Sequence, residues 1–200
     1  VLSECASPEE VEALDLETLH RGFWLDEQKP VWLCLAPADA SAAFRDTVAL
    51  QESLCVPGMA PILAHGKAKG GLCYAVLPSE GKPLTELVRR RKMRSRSALR
   101  LAQDGVLLLG GFASAGVELR HFAMEDLYGD GNGRMWIPFL RGAERLAPTE
   151  ALASHHQLAL GWVENVVRWA TGRRLEVSLN KKLRETSSLG EMVRVLARAQ

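Results

Sequence analysis

Residues 74–87, Tyr74-Ala75-Val76-Leu77-Pro78-Ser79-Glu80-Gly81-Lys82-Pro83-Leu84-Thr85-Glu86-Leu87, mark where one kind of sequence gives way to another. Leu72 to Leu77 has the length and composition of a strand, Pro78 stops it, and Gly81-Lys82-Pro83 leads into a short helix expected from Leu84 to Arg91. Upstream, Ile62 to His65 pairs naturally with Leu72 to Leu77 across the turn Gly66 to Gly71. His20 to Leu25 and Val31 to Leu35 predict a second strand pair around the polar Asp26 to Pro30. Between the two pairs, Ala43, Phe44, Thr47, Leu50 and Leu54 recur at helical spacing, so Asp39 to Leu54 predicts a helix ending before Pro57-Gly58. Ser7-Pro8-Glu9-Glu10 has the form of a helix start.

Downstream the pattern is mainly helical. Ser97 to Ala115 predicts a long helix stopped by Gly116, Leu158 to Thr171 another stopped by Gly172, and Ser188 to Ala199 a last amphipathic one. Asp130-Gly131-Asn132-Gly133, between Leu127-Tyr128 and Met135-Trp136-Ile137, is a hairpin signal. The expected class is α+β: a small sheet-and-helix part over residues 1–78 and a mainly helical part over 79–200.

Composition narrows the function classes. Twenty-five Lys and Arg against 24 Asp and Glu leave a formal charge of +1 on 200 residues, so nothing general points to nucleic acid. With 47% hydrophobic residues the chain can build a core, and the longest apolar run, Val31 to Ala36, suits a buried strand and is far too short for a membrane span. A first residue of Val predicts a processed chain or a domain of a larger protein. The four cysteines form no Cys-x-x-Cys pair. Cys34, Cys55 and Cys73 read as reduced core thiols, and the expected location is cytoplasmic.

In order along the chain, these elements resemble the protein-kinase-like superfamily in a degenerate, pseudokinase form, with a two-lobed fold. Residues 74–87 resemble the hinge strand and the short helix that opens the second lobe. Ser114-Ala115-Gly116-Val117-Glu118-Leu119-Arg120-His121-Phe122 resembles the entry to the catalytic loop, and His156 to Gly161 through Ala170-Thr171-Gly172-Arg173 resembles the buried central helix of the large lobe. With His121 at the catalytic Asp, the metal-binding Asn falls at Asp126 and the Asp of Asp-Phe-Gly at Phe139.

Kinase chemistry needs a glycine loop over the phosphates, a Lys on them, a Glu holding that Lys, two metal ligands and a carboxylate base. The resemblance implies that these are gone. Gly22 stands alone where the glycine loop belongs, Cys34 (or Leu35, if the register slips one residue) takes the Lys position, and its Glu partner falls at or near Thr47. His121 replaces the base, Leu119 the His of His-Arg-Asp, and Phe139-Leu140-Arg141 the Asp-Phe-Gly motif. Asp126 remains as the one possible metal carboxylate, which is too few. Ala147-Pro148-Thr149-Glu150 loosely resembles Ala-Pro-Glu. Trp32, Phe139 and Leu140 predict a cleft filled by side chains, and neither cofactor nor metal is expected.

Other features admit two readings each. His121 is a hydrogen-bonded structural residue or a rewired base. His155-His156 is a metal pair or two helix residues pointing about 100° apart. Asp126, Asp130 and Asn132 form a polar turn or a calcium loop. Arg89, Arg90, Arg91, Lys92, Arg94 and Arg96, with Arg100, place seven positive charges in twelve residues. That run is a solvated connection, a nuclear-localisation signal, or a docking patch for an acidic or phosphorylated protein partner or an anionic membrane surface. Among the five tryptophans, Trp24 is the one expected to be exposed and to serve an interface.

The function expected is that of a catalytically inactive binding or regulatory scaffold in signalling. The alternative is a divergent ATP-dependent phosphotransferase recruiting Glu125, Asp126, Asp130 or Glu144, with Lys29, or less directly Lys67 or Lys69, standing in for the missing Lys. A third possibility is an unrelated α+β domain.

Overall fold

Strand β2, Lys29–Ala36, is the centre of a four-stranded antiparallel sheet, and its residues Val31 to Ala36 are buried throughout. A continuous Val-Trp-Leu-Cys-Leu-Ala run suits a strand covered on both faces. The computed structural model describes residues 19–24, 27–68, 71–78, 81–88, 91–129 and 135–200. The helix start expected at Ser7 to Glu10 lies outside the described residues.

The sheet order is β1-β2-β4-β3, with β1 at Leu19–Trp24, β3 at Ala64–Lys67 and β4 at Cys73–Pro78. Register runs from Leu19 opposite Cys34 to Trp24 opposite Lys29, and from Val31 opposite Pro78 to Ala36 opposite Cys73. Both expected strand pairs are therefore present. Val31, Leu33, Leu35 and Val76 form the sheet core, with Trp24, Leu63 and Tyr74 packed against it. Helix α1, Ser41–Glu52, connects β2 to the β3–β4 hairpin and packs on β4.

Several expectations need correction here. The buried face of α1 is Phe44, Val48, Leu50 and Gln51, whereas Ala43 is exposed. Periodicity alone selects neighbouring stripes equally well, and the polar Gln51 concealed the true one. Trp24 is half-buried against the sheet core, and the exposed aromatic is its neighbour Phe23, 50% exposed. The alternation of a strand sends adjacent side chains to opposite faces. Cys34 and Cys73 are buried and in no disulfide, but Cys55 is exposed, because it follows the end of α1 rather than lying in it.

The chain separates into two compact units. The first comprises the described residues of 19–55 and 59–78 together with Pro138–Leu140; the second comprises Val56–Gly58, Gly81–Ile137 and Arg141–Gln200. In the second unit β5, Lys82–Pro83, is followed by a single helical turn α2, Leu84–Leu87, shorter than expected, and by α3, Ser95–Ser114. Val88 leaves the helical region at φ −88°, ψ 98°, which ends α2. Strand β6, Val117–Glu118, precedes β7 and β8, Tyr128–Gly129 and Met135–Trp136, which pair as the expected hairpin. The turn Asp130 to Gly133 lies outside the described residues. Strand β9, Glu144–Arg145, pairs with β6.

Helix α4, Pro148–Thr171, begins ten residues before the expected Leu158. Ala147-Pro148-Thr149-Glu150 is its N-terminus: Pro148 occupies the first turn and the Glu150 carboxylate accepts the Ala147 N–H at 3.3 Å. Gly172 ends it at φ 71°, in the left-handed region. A short polar helix absent from the sequence reading, α5 at Val177–Arg184, precedes α6 at Leu189–Arg198. Helix α3 packs on both α4 and α6. Where α3 meets α4, Gly105 lies under the indole of Trp162, whose Nε1 donates to Ala102 O at 3.0 Å. A side chain at 105 would overlap that ring.

Candidate functional site

Three of the five positions singled out from the resemblance fall in the first unit. Cys34 is buried in β2 between Leu19 and Ala75 on the neighbouring strands. Thr47 lies on α1, its hydroxyl donating to Ala43 O at 3.0 Å, a bond internal to the helix. Phe139 is buried and stacks on Phe44 of α1, ring centroids 5.4 Å apart at 30°.

The short segment that carries Phe139 is fastened by a residue the sequence reading missed. Gln51, 1% exposed, donates from Nε2 to Ala60 O at 2.8 Å and to Pro138 O at 2.9 Å, and its Oε1 accepts Leu140 N–H at 3.0 Å. Both ends of the buried amide are thus satisfied, the condition under which a buried polar side chain specifies structure rather than weakens it.

The other two positions, His121 and Asp126, lie in the loop between β6 and β7. Asp126 Oδ2 accepts from His121 Nδ1 at 2.7 Å and from Ala123 N–H at 3.2 Å. The two side chains are 72% and 38% exposed, so the pair is a solvated one of small energetic weight. Arg120 in the same loop pairs with Glu144. Beneath the loop, His155 of α4 is fully buried and its Nε2 accepts Leu119 N–H at 3.0 Å. Burial pushes its pKa below the usual histidine value, against a smaller opposing pull from Glu118. His156 bonds Thr186 at 3.1 Å instead. The two adjacent imidazoles therefore serve different partners, which corrects the metal-pair alternative.

Lys29 pairs with Glu27 and sits 5.3 Å above the Trp24 ring. Of the other acids considered for a relocated site, Glu144 is engaged by Arg120 and Asp130 lies outside the described residues. Among the described residues no three His, Cys, Asp or Glu side chains converge as a metal site would require.

The basic run takes a definite form where it is described. Arg89 and Arg90 lie outside the described residues; Arg91, Lys92, Arg94 and Arg96 are exposed. Arg91 N–H donates to Trp169 O and Met93 N–H to Ala170 O, both at 2.9 Å, which lays the run along the last turn of α4. There Arg91 meets Arg168 and Arg174 around a cavity of about 540 Å³, with Asn165, Trp169 and Glu125 also on its wall. Neither Arg168 nor Arg174 was singled out from the sequence, because two isolated arginines give no local signal.

No protein-family model matches this chain, and no curated protein sequence matches it significantly. Among the described residues no helix is long and apolar enough to cross a membrane.

Proposed function

We propose that this chain is a catalytically inactive, protein-kinase-like pseudokinase domain that acts as a protein-binding regulatory scaffold. The order of elements supports the reading: a helix between the second strand and a hairpin, whose second strand β4 stands at the hinge position, then a short helix, a long helix, a second hairpin and a buried helix. The observation that carries the inactive part is the packing of Phe139 on Phe44. Where the family pattern requires the principal metal carboxylate, a buried ring stands, and the chain on either side of it is fixed by Gln51. A ring offers Mg²⁺ no oxygen ligand. Cys34, at the position where the resemblance puts the phosphate-gripping Lys, is a buried thiol. Buried Cys34 and Cys73, neither in a disulfide, suit a reducing compartment, the cytoplasm or the cytoplasmic part of a larger protein.

A second reading, a divergent ATP-dependent phosphotransferase, draws on the His121–Asp126 pair, whose imidazole keeps Nε2 directed away from its carboxylate partner. Thermal unfolding with millimolar ATP, with and without Mg²⁺, separates the two. A ligand at about 100 times its Kd stabilises by about 2.7 kcal/mol, several degrees for a chain this size. The scaffold reading expects no metal-dependent rise in Tm. A metal-dependent rise, with phosphate transferred to any acceptor, replaces it with the enzyme.

A further inference from the structure

The geometry points to a phosphate-selective docking pocket at the C-terminal end of α4, formed by Arg91, Arg168 and Arg174, and we propose that its ligand is a phosphorylated serine, threonine or tyrosine side chain on a partner polypeptide. The inference deepens the scaffold reading and rests on it for the partner being a protein.

Three guanidinium groups line the cavity of about 540 Å³ against one carboxylate, Glu125. None of the three side chains forms a hydrogen bond or ion pair with another described residue, whereas Arg120 and Arg184 are held by Glu144 and Glu164. Unpaired arginines gathered around one concavity repel one another, a repulsion that the negative end of the α4 dipole offsets only in part and that an anion between them relieves. The planar guanidinium fork matches phosphate oxygens two at a time.

The backbone around Arg91 is arranged for this placement. Arg91 adopts φ 61°, a conformation that non-glycine residues avoid, and its N–H bond to Trp169 O holds it there. Its stem passes over Gly172: a Cβ at 172 would sit 2.9 Å from Arg91 Cγ. Gly172 thus both ends α4 and leaves the space through which Arg91 reaches the cavity.

Two neighbouring cavities, of about 720 and 800 Å³, share Arg174 with the first: around one, Glu164 and Glu185 pair with Arg184 and Lys181, and around the other Arg173, Lys182 and Arg198 stand with Glu176. A nucleic acid or an anionic bilayer gains no long-range attraction from a chain whose charge is only +1. A phosphorylated residue fills the arginine pocket, and flanking peptide meets the mixed-charge troughs, the arrangement by which arginine clusters read phosphorylated segments.

The test is fluorescence polarisation of the intact chain with degenerate peptide pools carrying a fixed central phosphoserine, phosphothreonine or phosphotyrosine, and with the matching unphosphorylated pools. Inorganic phosphate serves as competitor, and phosphatidylserine vesicles as the lipid arm. At least one phosphorylated pool is expected to bind about tenfold or more tightly than its unphosphorylated counterpart and to be displaced by phosphate. The double variant Arg168→Gln/Arg174→Gln abolishes the difference. Gly172→Ala weakens binding by displacing Arg91, Arg174→Lys falls between, and Arg100→Gln, which keeps the cavity intact, changes nothing. Equal binding of paired pools, binding to no pool, or preference for vesicles overturns the proposal. ATP–Mg²⁺-dependent phosphotransfer alongside selective peptide binding would overturn the inactive reading and leave the pocket standing, so the two fail separately.

Discussion

His155 in the middle of α4 accepts the backbone N–H of Leu119, 36 residues earlier, through a ring that is wholly buried. That bond ties the loop holding His121 and Asp126 to the principal helix of the second unit. Because Nε2 is the acceptor, the neutral ring carries its proton on Nδ1, which has no partner among the described residues. Replacement by Ala removes the acceptor and opens a cavity, with an expected loss of about 2–4 kcal/mol in denaturant unfolding. His155→Gln, which retains an acceptor, is expected to lose less.

The same residue sets a pH dependence. Its folded pKa lies below the unfolded value of about 6.5, so the unfolded chain binds the extra proton. Its contribution is full above about pH 6.5 and falls as pH drops from there towards the lower folded pKa. Unfolding free energies between pH 7.5 and 5.5 are expected to fall less steeply in His155→Gln than in the parent chain. Equal slopes would contradict the assignment.

Gln51 makes three buried bonds with its amide. Gln51→Leu keeps the volume but leaves Ala60 O, Pro138 O and Leu140 N–H unpaired, and a loss of about 2–4 kcal/mol is expected by urea titration. Gln51→Glu removes both donors and is expected to be worse at neutral pH than at low pH.

Gly105→Ala forces a methyl group into the Trp162 indole. A loss of about 1–3 kcal/mol is expected from overpacking, with a shift in tryptophan emission as the Nε1 bond to Ala102 O is disturbed. Gly110→Ala, where the added Cβ meets nothing within 4 Å, is the control and is expected to be neutral or stabilising.

Ser188 caps α6 by accepting Glu191 N–H at 3.2 Å, while the Glu191 carboxylate accepts Ser187 N–H at 2.8 Å, and bonds to Ser187 hold that carboxylate below its usual pKa. Ser188→Ala is expected to lower stability by about 1 kcal/mol, measured by thermal unfolding, and Ser188→Asp to restore most of it.

The strand pairs and the stops at Gly116 and Gly172 were legible because their signals are local: an apolar run, a polar turn, a left-handed glycine. The same is true of the start of the last helix at Ser188. What was not legible depends on distant partners. Gln51 reads as a surface residue until Ala60, Pro138 and Leu140 surround it, and nothing near His155 announces Leu119. Helix α5 is mostly polar and is set by its docking on α6, so hydrophobic periodicity passed it over. At the arginine pocket the sequence displayed Arg91 within a conspicuous run, but Arg168 and Arg174 become its neighbours only when Arg91 lies over Gly172.

The fastening of Pro138–Leu140 by Gln51 also has a consequence for synthesis. The amide and its last acceptor and donor are 87 and 89 residues apart. At ordinary translation rates the nascent chain waits on the order of ten seconds after Gln51 is made before those partners emerge. Throughout that interval Phe44 lacks its stacking ring and Gln51 lacks two of its three bonds. The β-sheet can pair early, but the first unit is complete only once Pro138–Leu140 join it, and a fragment ending at residue 80 is expected to be less stable than the same unit in the whole chain.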